Sequence, residues 1–479
     1  MSDHTPGLDK LQSDLRHLIL QCRAVLLDLG ERDAAAALPW TDAAAAPVAD
    51  DNAVQALSMA FQLLNMAEEN AAAQARRGRE TAHGPAAEPG LWPHELQRLC
   101  AGGAPPAALA ATLAATHVEP VLTAHPTEAK PPALLALHRE LYLQLVAREN
   151  RMWTPAERAE IDGAIRVAIE RLWRAAEVPT ARPPVAAERA TMMHYLRHVF
   201  PETLTRLDRR LRLAWCGAGL DPQMLAGPQA MPRLTFGSWV GGDRDGHPLV
   251  TAETTRTALA ELRRNALDLL RSLLVQLAQR LSLSDQIQTP PAALLDTLVE
   301  TARLLGSAGE RALARNPNEP WRQYINLMLA RLPDTDPAVL PAYAYRQAAE
   351  LAADLQQLYA ALEAVGAGRL ADTDLFPVQR AVQTFGFHLA SLDIRQNSAF
   401  HDRAVGQLLE AAGFDDADFV HWDEPRRLAF LEQELRSPRP FTRPDMTLGT
   451  EASAVLSCYR VLAAQINEYG AAGLGALIV

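Results

Sequence analysis

Three short segments gather the side chains able to do chemistry. The first is Val121-Leu122-Thr123-Ala124-His125-Pro126-Thr127-Glu128. On an extended backbone, Thr123 and His125 share one face. Pro126 biases His125 away from helix and holds its imidazole at a strand end. An imidazole titrates near neutrality and can move a proton. Two readings stand for His125: a general base, or a structural histidine capping a turn.

The second segment is Phe236-Gly237-Ser238-Trp239-Val240-Gly241-Gly242-Asp243-Arg244-Asp245-Gly246-His247-Pro248. Glycines on both sides of an Asp-Arg-Asp triplet predict a tight turn where backbone approaches a ligand or another strand. Flanking carboxylates are expected to orient Arg244 through charge-assisted hydrogen bonds. Asp243 and Asp245 are also candidates for a divalent ion, yet two carboxylates fall short of a full oxygen shell. Trp239 reads either as part of a site or as core. The segment lacks the spacing of a P-loop or of a dinucleotide-binding loop.

The third segment is Phe385-Gly386-Phe387-His388-Leu389-Ala390-Ser391-Leu392-Asp393-Ile394-Arg395-Gln396-Asn397. With period two, Phe387, Leu389, Ser391, Asp393 and Arg395 line one face, which turns from apolar to charged. A guanidinium there can fork onto a carboxylate or phosphate. The plain alternative is a surface pair between Asp393 and Arg395, worth little energetically. His401-Asp402 follows and reads as a metal-type pair or as the start of a helix.

These segments need elements to hold them. Four strands are expected, at 117–124, 233–239, 384–394 and 474–479, separated by long helical stretches. Such spacing predicts parallel pairing through crossovers, with reactive groups gathered at the carboxyl ends of the strands. Leu259, Leu262, Ala266, Leu270, Leu273, Leu277 and Leu281 form one helical stripe, entered from Thr251 as N-cap. Leu351, Leu355, Leu358 and Leu362 form another, with Gly366 and Gly368 as its breakers. Near the start, Leu11, Leu15, Leu18, Ile19 and Leu26 mark a helix, and Val54, Leu57, Phe61, Leu64 and Met66 a second. Residues 33–50 read as a surface loop and 76–90 as a weakly structured segment.

Composition agrees with a mainly helical protein. Hydrophobic residues make up 48% of the 479 and aromatics only 6%, a balance of small and straight-chain side chains that favours helix. A length of this order exceeds one compact core. The formal charge is -11, from 57 acidic and 46 basic residues, and without a basic stripe nucleic acid is not expected as a partner. Cys22, Cys100, Cys216 and Cys458 are scattered and read as reduced thiols. Residues 1–14 lack an apolar core and no apolar run reaches membrane-span length, so no membrane partner and a cytoplasmic location are expected.

In this order the segments resemble the phosphoenolpyruvate carboxylase family. Thr123–Glu128 is similar to its histidine motif, Phe236–Gly246 to its Asp-Arg-Asp-Gly segment and Phe385–Gln396 to its Leu-Asp-Ile-Arg-Gln segment; Phe61–Glu68 is similar to an earlier helix. The resemblance implies a mainly α protein with parallel strands, a partial (β/α)8-type barrel wrapped by helices. It implies residues 1–100 as an N-terminal helical region and 101–479 as the first part of that barrel. The implied reaction is magnesium-dependent carboxylation of phosphoenolpyruvate by bicarbonate to oxaloacetate and phosphate, which replenishes the tricarboxylic acid cycle. His125 becomes the catalytic base; Arg395, Arg244 and Trp239 bind substrate; Asp243, Asp245 and Asp393 shape the site.

The sequence departs from the family at His247, at Lys130-Pro131-Pro132 and at Trp173–Pro179, where an Asn, more basic residues and a Thr-Asp-Glu-Ile-Arg pattern are usual. The family's metal ligands and glycine-rich phosphate loop lie in a second half without counterpart in these residues. The expectation is therefore a fragment or split product, inactive alone. Its expected partners are further copies, a tetramer in the complete enzyme, or a complementing C-terminal half. The competing reading is a non-catalytic binding or regulatory subunit.

Overall fold

The computed structural model describes residues 6–41, 50–123, 132–175, 184–245, 249–334, 340–438, 440, 442–443 and 446–479. Among these residues it is mostly helical, with six short strands paired in parallel. No helix among the described residues is long and apolar enough to cross a membrane. The chain forms two compact units, the first made of 1–104, 125–184 and 213–220, the second of 105–124, 185–212 and 221–479.

In the first unit the helices Pro6–Asp28, Asp51–His83 and Pro155–Arg174 enclose a core of Leu18, Ile19, Met59, Leu63, Ile165 and Ile169. Leu15, Leu18, Ile19 and Leu26 face it as their spacing predicts. The second stripe is set differently. Val54 and Phe61 are exposed, and the buried face runs through Ala53, Ala56, Met59, Ala60, Leu63, Met66 and Ala67. Alanines turned inward let neighbouring helices approach closely, so the larger apolar residues beside them fall outside the seam. Two expected irregular stretches are partly helical. Residues 33–37 belong to the helix Arg32–Ala37, and 76–83 continue the long helix to His83. Alanine, arginine and glutamate favour helix strongly enough to carry the lone Gly78, and an Arg76–Glu80 pair spans one turn at 3.7 Å.

The second unit holds the larger core and, among the described residues, all the strands. Its Ala252–Arg280 helix starts at Thr251, whose hydroxyl accepts from the Thr254 backbone N–H. The expected stripe is buried at Leu259, Leu262, Ala266, Leu270 and Leu277. Leu351, Leu355, Leu358 and Leu362 are buried on the Ala348–Glu363 helix. Gly366 follows at φ 74, whereas Gly368 opens the next short helix.

The strands are β1 (His117–Val118), β2 (Val121–Leu122), β3 (Arg233–Leu234), β4 (Gly237–Ser238), β5 (Ser391–Arg395) and β6 (Leu474–Ile478). β1 pairs with β3, and the larger sheet runs β2-β4-β5-β6. Its register sets Val121 beside Gly237 and Gly237 beside Ser391, and Leu392 beside Leu474. The parallel pairing expected from the helical crossovers is present. The third strand, however, begins at Ser391. Thr384 and Phe385 end the helix Phe376–Phe385, and a tight turn follows in which Gly386 and Leu389 take φ values of 50 and 61. Phe387 and Leu389 are therefore buried turn residues. The alternation assigned to 384–394 holds only from Ser391 onward, because the helix cap consumes the residues before it.

Candidate active site

At its carboxyl end β5 carries Asp393 and Arg395 on one face and Leu392, Ile394 and Gln396 on the other, as the pleat requires. Backbone bonds knit this end to the loop after β4: Arg395 donates to the Gly242 carbonyl at 3.1 Å and Arg244 donates to the Arg395 carbonyl at 2.9 Å. The two backbones are so close that a Cβ on Gly242 would lie 2.0 Å from the Asp393 carbonyl oxygen. Glycine is the residue this approach permits.

On the first face four of the expected site residues come together. The Arg395 guanidinium carbon lies 3.7 Å over the Trp239 ring. Its Nη1 donates to Asp243 Oδ2 at 3.2 Å. The Trp239 indole N–H donates to Asp393 Oδ2 at 2.9 Å, and Asp393 Oδ1 accepts from the Ala476 backbone N–H at 2.8 Å. Asp393 therefore bonds to Trp239 and Ala476, and the carboxylate paired with Arg395 is Asp243. Arg395 keeps a quarter of its side chain exposed. Its position at a strand end, stacked on an aromatic face, suits it to receive an anion.

Arg244 is set apart from this cluster. Its Nη2 donates to the Thr255 hydroxyl at 2.6 Å, and the same hydroxyl donates to the Gly241 carbonyl at 2.8 Å. The guanidinium lines a small cavity with Ile394, Gln396, His401, Cys458 and Tyr459, on the Ile394 side of the sheet. Burial raises the Cys458 thiol pKa while Arg244 pulls it down. Burial lowers the His401 imidazole, Asp402 opposes, and Arg244 adds to the lowering. The two aspartates flanking Arg244 do not orient it: Asp243 is bonded to Arg395, and Asp245 is exposed, its backbone N–H on Asp243 Oδ1 at 3.1 Å. Asp402 accepts from Arg427 at 3.0 Å, and His401 stands in the first turn of the helix Ser398–Ala411. That pair is a helix start.

His125 lies outside the described residues, as do Thr127, Glu128, Lys130, Pro131, Ala176–Pro179 and His247. Thr255 and the Gly475-Ala476 pair escaped the sequence reading, and Cys458 was read only as a scattered thiol. A threonine on a helix's apolar face and two small residues in a strand carry no pattern of their own.

Among the described residues no group of three or more His, Cys, Asp or Glu side chains gathers as metal ligands. Asp243, Asp393 and Asp402 are each engaged by N–H donors. A hard divalent cation takes about six oxygen ligands, so the described residues do not fit the magnesium ion that the family resemblance implies, whose ligands were expected in the family's second half.

Residues 19–479 match the family model described as phosphoenolpyruvate carboxylase. Among curated proteins, the phosphoenolpyruvate carboxylase of Aromatoleum aromaticum is 36% identical over 430 residues, covering 87% of this chain and 45% of that protein. That of Nocardia farcinica is 33% identical over 432 residues, with coverages of 87% and 45%. That of Chromobacterium violaceum is 32% identical over 444 residues, with coverages of 91% and 47%. The chain thus spans about half the length of these relatives. Matched along nearly all of its own length, the chain belongs to the phosphoenolpyruvate carboxylase family.

Proposed function

We propose that this chain carries one side of an active site that carboxylates phosphoenolpyruvate with bicarbonate, giving oxaloacetate and phosphate. Its setting is the cytoplasm, where the product replenishes the tricarboxylic acid cycle. The observation that carries the reading is the Arg395 guanidinium held at the carboxyl end of β5 by Trp239 and Asp243. In this reading Arg395 binds the substrate anion and Trp239 forms the apolar wall against carbon dioxide. Asp243 and Asp393 hold those two in place. Arg244, with Asp245 beside it, shapes the loop at the barrel mouth.

Bicarbonate attacks the phosphoryl group, giving carboxyphosphate and the enolate of pyruvate. His125 takes the carboxyphosphate proton, carbon dioxide leaves phosphate, and the enolate carbon captures it. Four parallel strands joined by helical crossovers support a partial (β/α)8-type barrel over residues 101–479, preceded by a helical region at 1–100. The magnesium ligands belong outside the described residues. Turnover belongs to these residues acting with the remainder of a full-length relative, in an assembly of further copies or with a complementing half.

The test is oxaloacetate formation, read by coupled NADH oxidation, from phosphoenolpyruvate, bicarbonate and magnesium. The chain alone should be silent, and co-expression with the remaining half of the Aromatoleum aromaticum relative should restore turnover. In that complemented protein His125→Asn should abolish it. Oxaloacetate output unchanged by His125→Asn would refute the assignment of the base, and turnover by the chain alone would refute the need for a second half.

A further inference from the structure

We propose that Asp393 is a positioning residue that fixes the substrate-facing guanidinium of Arg395 through the indole N–H of Trp239. Asp393 stands two residues before Arg395 on the same strand face, yet its carboxylate bonds elsewhere. Oδ2 accepts from Trp239 Nε1 at 2.9 Å and Oδ1 accepts from the Ala476 backbone N–H at 2.8 Å. Asp393 as a residue is 9% exposed. Both acceptors are thus committed to N–H donors, and the tryptophan is tied at its only polar atom.

The Ala476 donor is made available by an irregularity in β6. Leu392 pairs with Leu474 but Ile394 pairs with Leu477, so β6 spends an extra residue opposite Asp393. A bulge of this kind turns a backbone group out of the ladder, and here the Ala476 N–H meets a side chain. Gly475 leaves the room, since a Cβ there would lie 2.1 Å from Asp393 Oδ1. Three elements therefore converge on one carboxylate, and its output is the plane of one indole ring.

That plane matters because the Arg395 guanidinium lies on it, 3.7 Å from the ring centre. With Trp239 beneath and Asp243 taking Nη1, Nε and Nη2 are the donors left unengaged among the described residues. They point in the guanidinium plane and form the edge that forks onto a carboxylate or phosphate. Releasing the indole would let the guanidinium tilt and blunt that edge without removing its charge.

The first measurement needs no ligand. In the purified chain the Arg395 Nε–H resonance, identified with Arg395→Lys, should be displaced by the Trp239 ring current. Asp393→Asn should move it most of the way to its position in Trp239→Leu, with the circular dichroism spectrum unchanged. A resonance left at the wild-type position in a folded Asp393→Asn protein overturns the proposal.

The second measurement rests on the reading that Arg395 receives phosphoenolpyruvate, and titrates that compound into the chain by calorimetry. Asp393→Asn and Trp239→Phe, which keeps an aromatic plate but lacks the N–H, should each weaken binding about tenfold. The double variant should be no weaker than either, because both act through one bond. Multiplying effects overturn the proposal. Should Asp393→Asn fail to fold, unchanged affinity in Trp239→Phe overturns it as well. Absence of any binding by the wild-type chain counts against the substrate role of Arg395 and leaves the resonance test of Asp393 standing.

Discussion

Among the described residues Arg380 is the most buried guanidinium in the second unit, 2% exposed, and its partners account for every direction it faces. Nε and Nη2 donate to the two Asp208 oxygens at 2.7 and 3.1 Å, Nη2 also to the Pro232 carbonyl at 2.9 Å, and Nη1 reaches Gln383. Burial raises the Asp208 pKa while Arg380 and Arg212 pull it down, so the carboxylate depends on its partner to stay ionised. Arg380→Met should cost about 3–5 kcal/mol, read by urea unfolding, because it strands a buried charge. Adding Asp208→Asn should recover part of that loss, since the stranded charge is then gone. Nothing in the sequence flagged this pair, whose partners are 172 positions apart. Arg395, by contrast, was legible from its place after an apolar run. Its partner was not, because the sequence offered Asp393 two positions away while the fold supplies Asp243 from another loop.

Elements were legible where one local rule governs them. The Thr251 cap and the leucine stripe behind it follow from capping chemistry and period 3.6 alone. The strands were legible in order and direction but not in extent. The helix that ends at Phe385 and the turn through Leu389 use residues whose alternation reads equally well as strand. The bulge in β6 was beyond reach, since it exists only in relation to β5. It has a direct consequence at Gly475, where a Cβ would sit 2.1 Å from Asp393 Oδ1 and 3.3 Å from the Asp393 backbone nitrogen. Gly475→Ala should destabilise the protein by about 1–3 kcal/mol, as overpacking does. It should also weaken the Asp393 bond to Ala476, visible as faster hydrogen exchange at the Ala476 amide. Wild-type exchange at that amide in a Gly475→Ala protein would show that β6 can relax around the methyl group.

At the scale of the whole molecule, two cores mean two units, and histidines lowered by burial occur in both. In the second unit His388 stands where the helix Phe376–Phe385 turns toward β5, beside Gly473 at the entry to β6. Its imidazole is lowered to about 4, by burial first and then by Arg263, with Glu119 opposing and Arg233 adding to the lowering. The ordinary histidine value near 6.5 describes the unfolded chain. The folded form therefore holds His388 neutral between about pH 6.5 and 4, a window in which the unfolded chain takes up a proton. Stability from this group is full above the unfolded value and is lost as pH falls toward the folded one. A shift of that size corresponds to about 3 kcal/mol. Burial also lowers His17, His198 and His401, so the total slope is shared, and only a comparison of two proteins isolates His388. Urea midpoints of wild type and His388→Gln, taken from pH 7 to pH 4.5, should converge as the medium is acidified. The variant has no imidazole to keep neutral, so its stability should fall less steeply. Parallel curves across that window would assign the acid sensitivity of the second unit to its other histidines and remove His388 from the account.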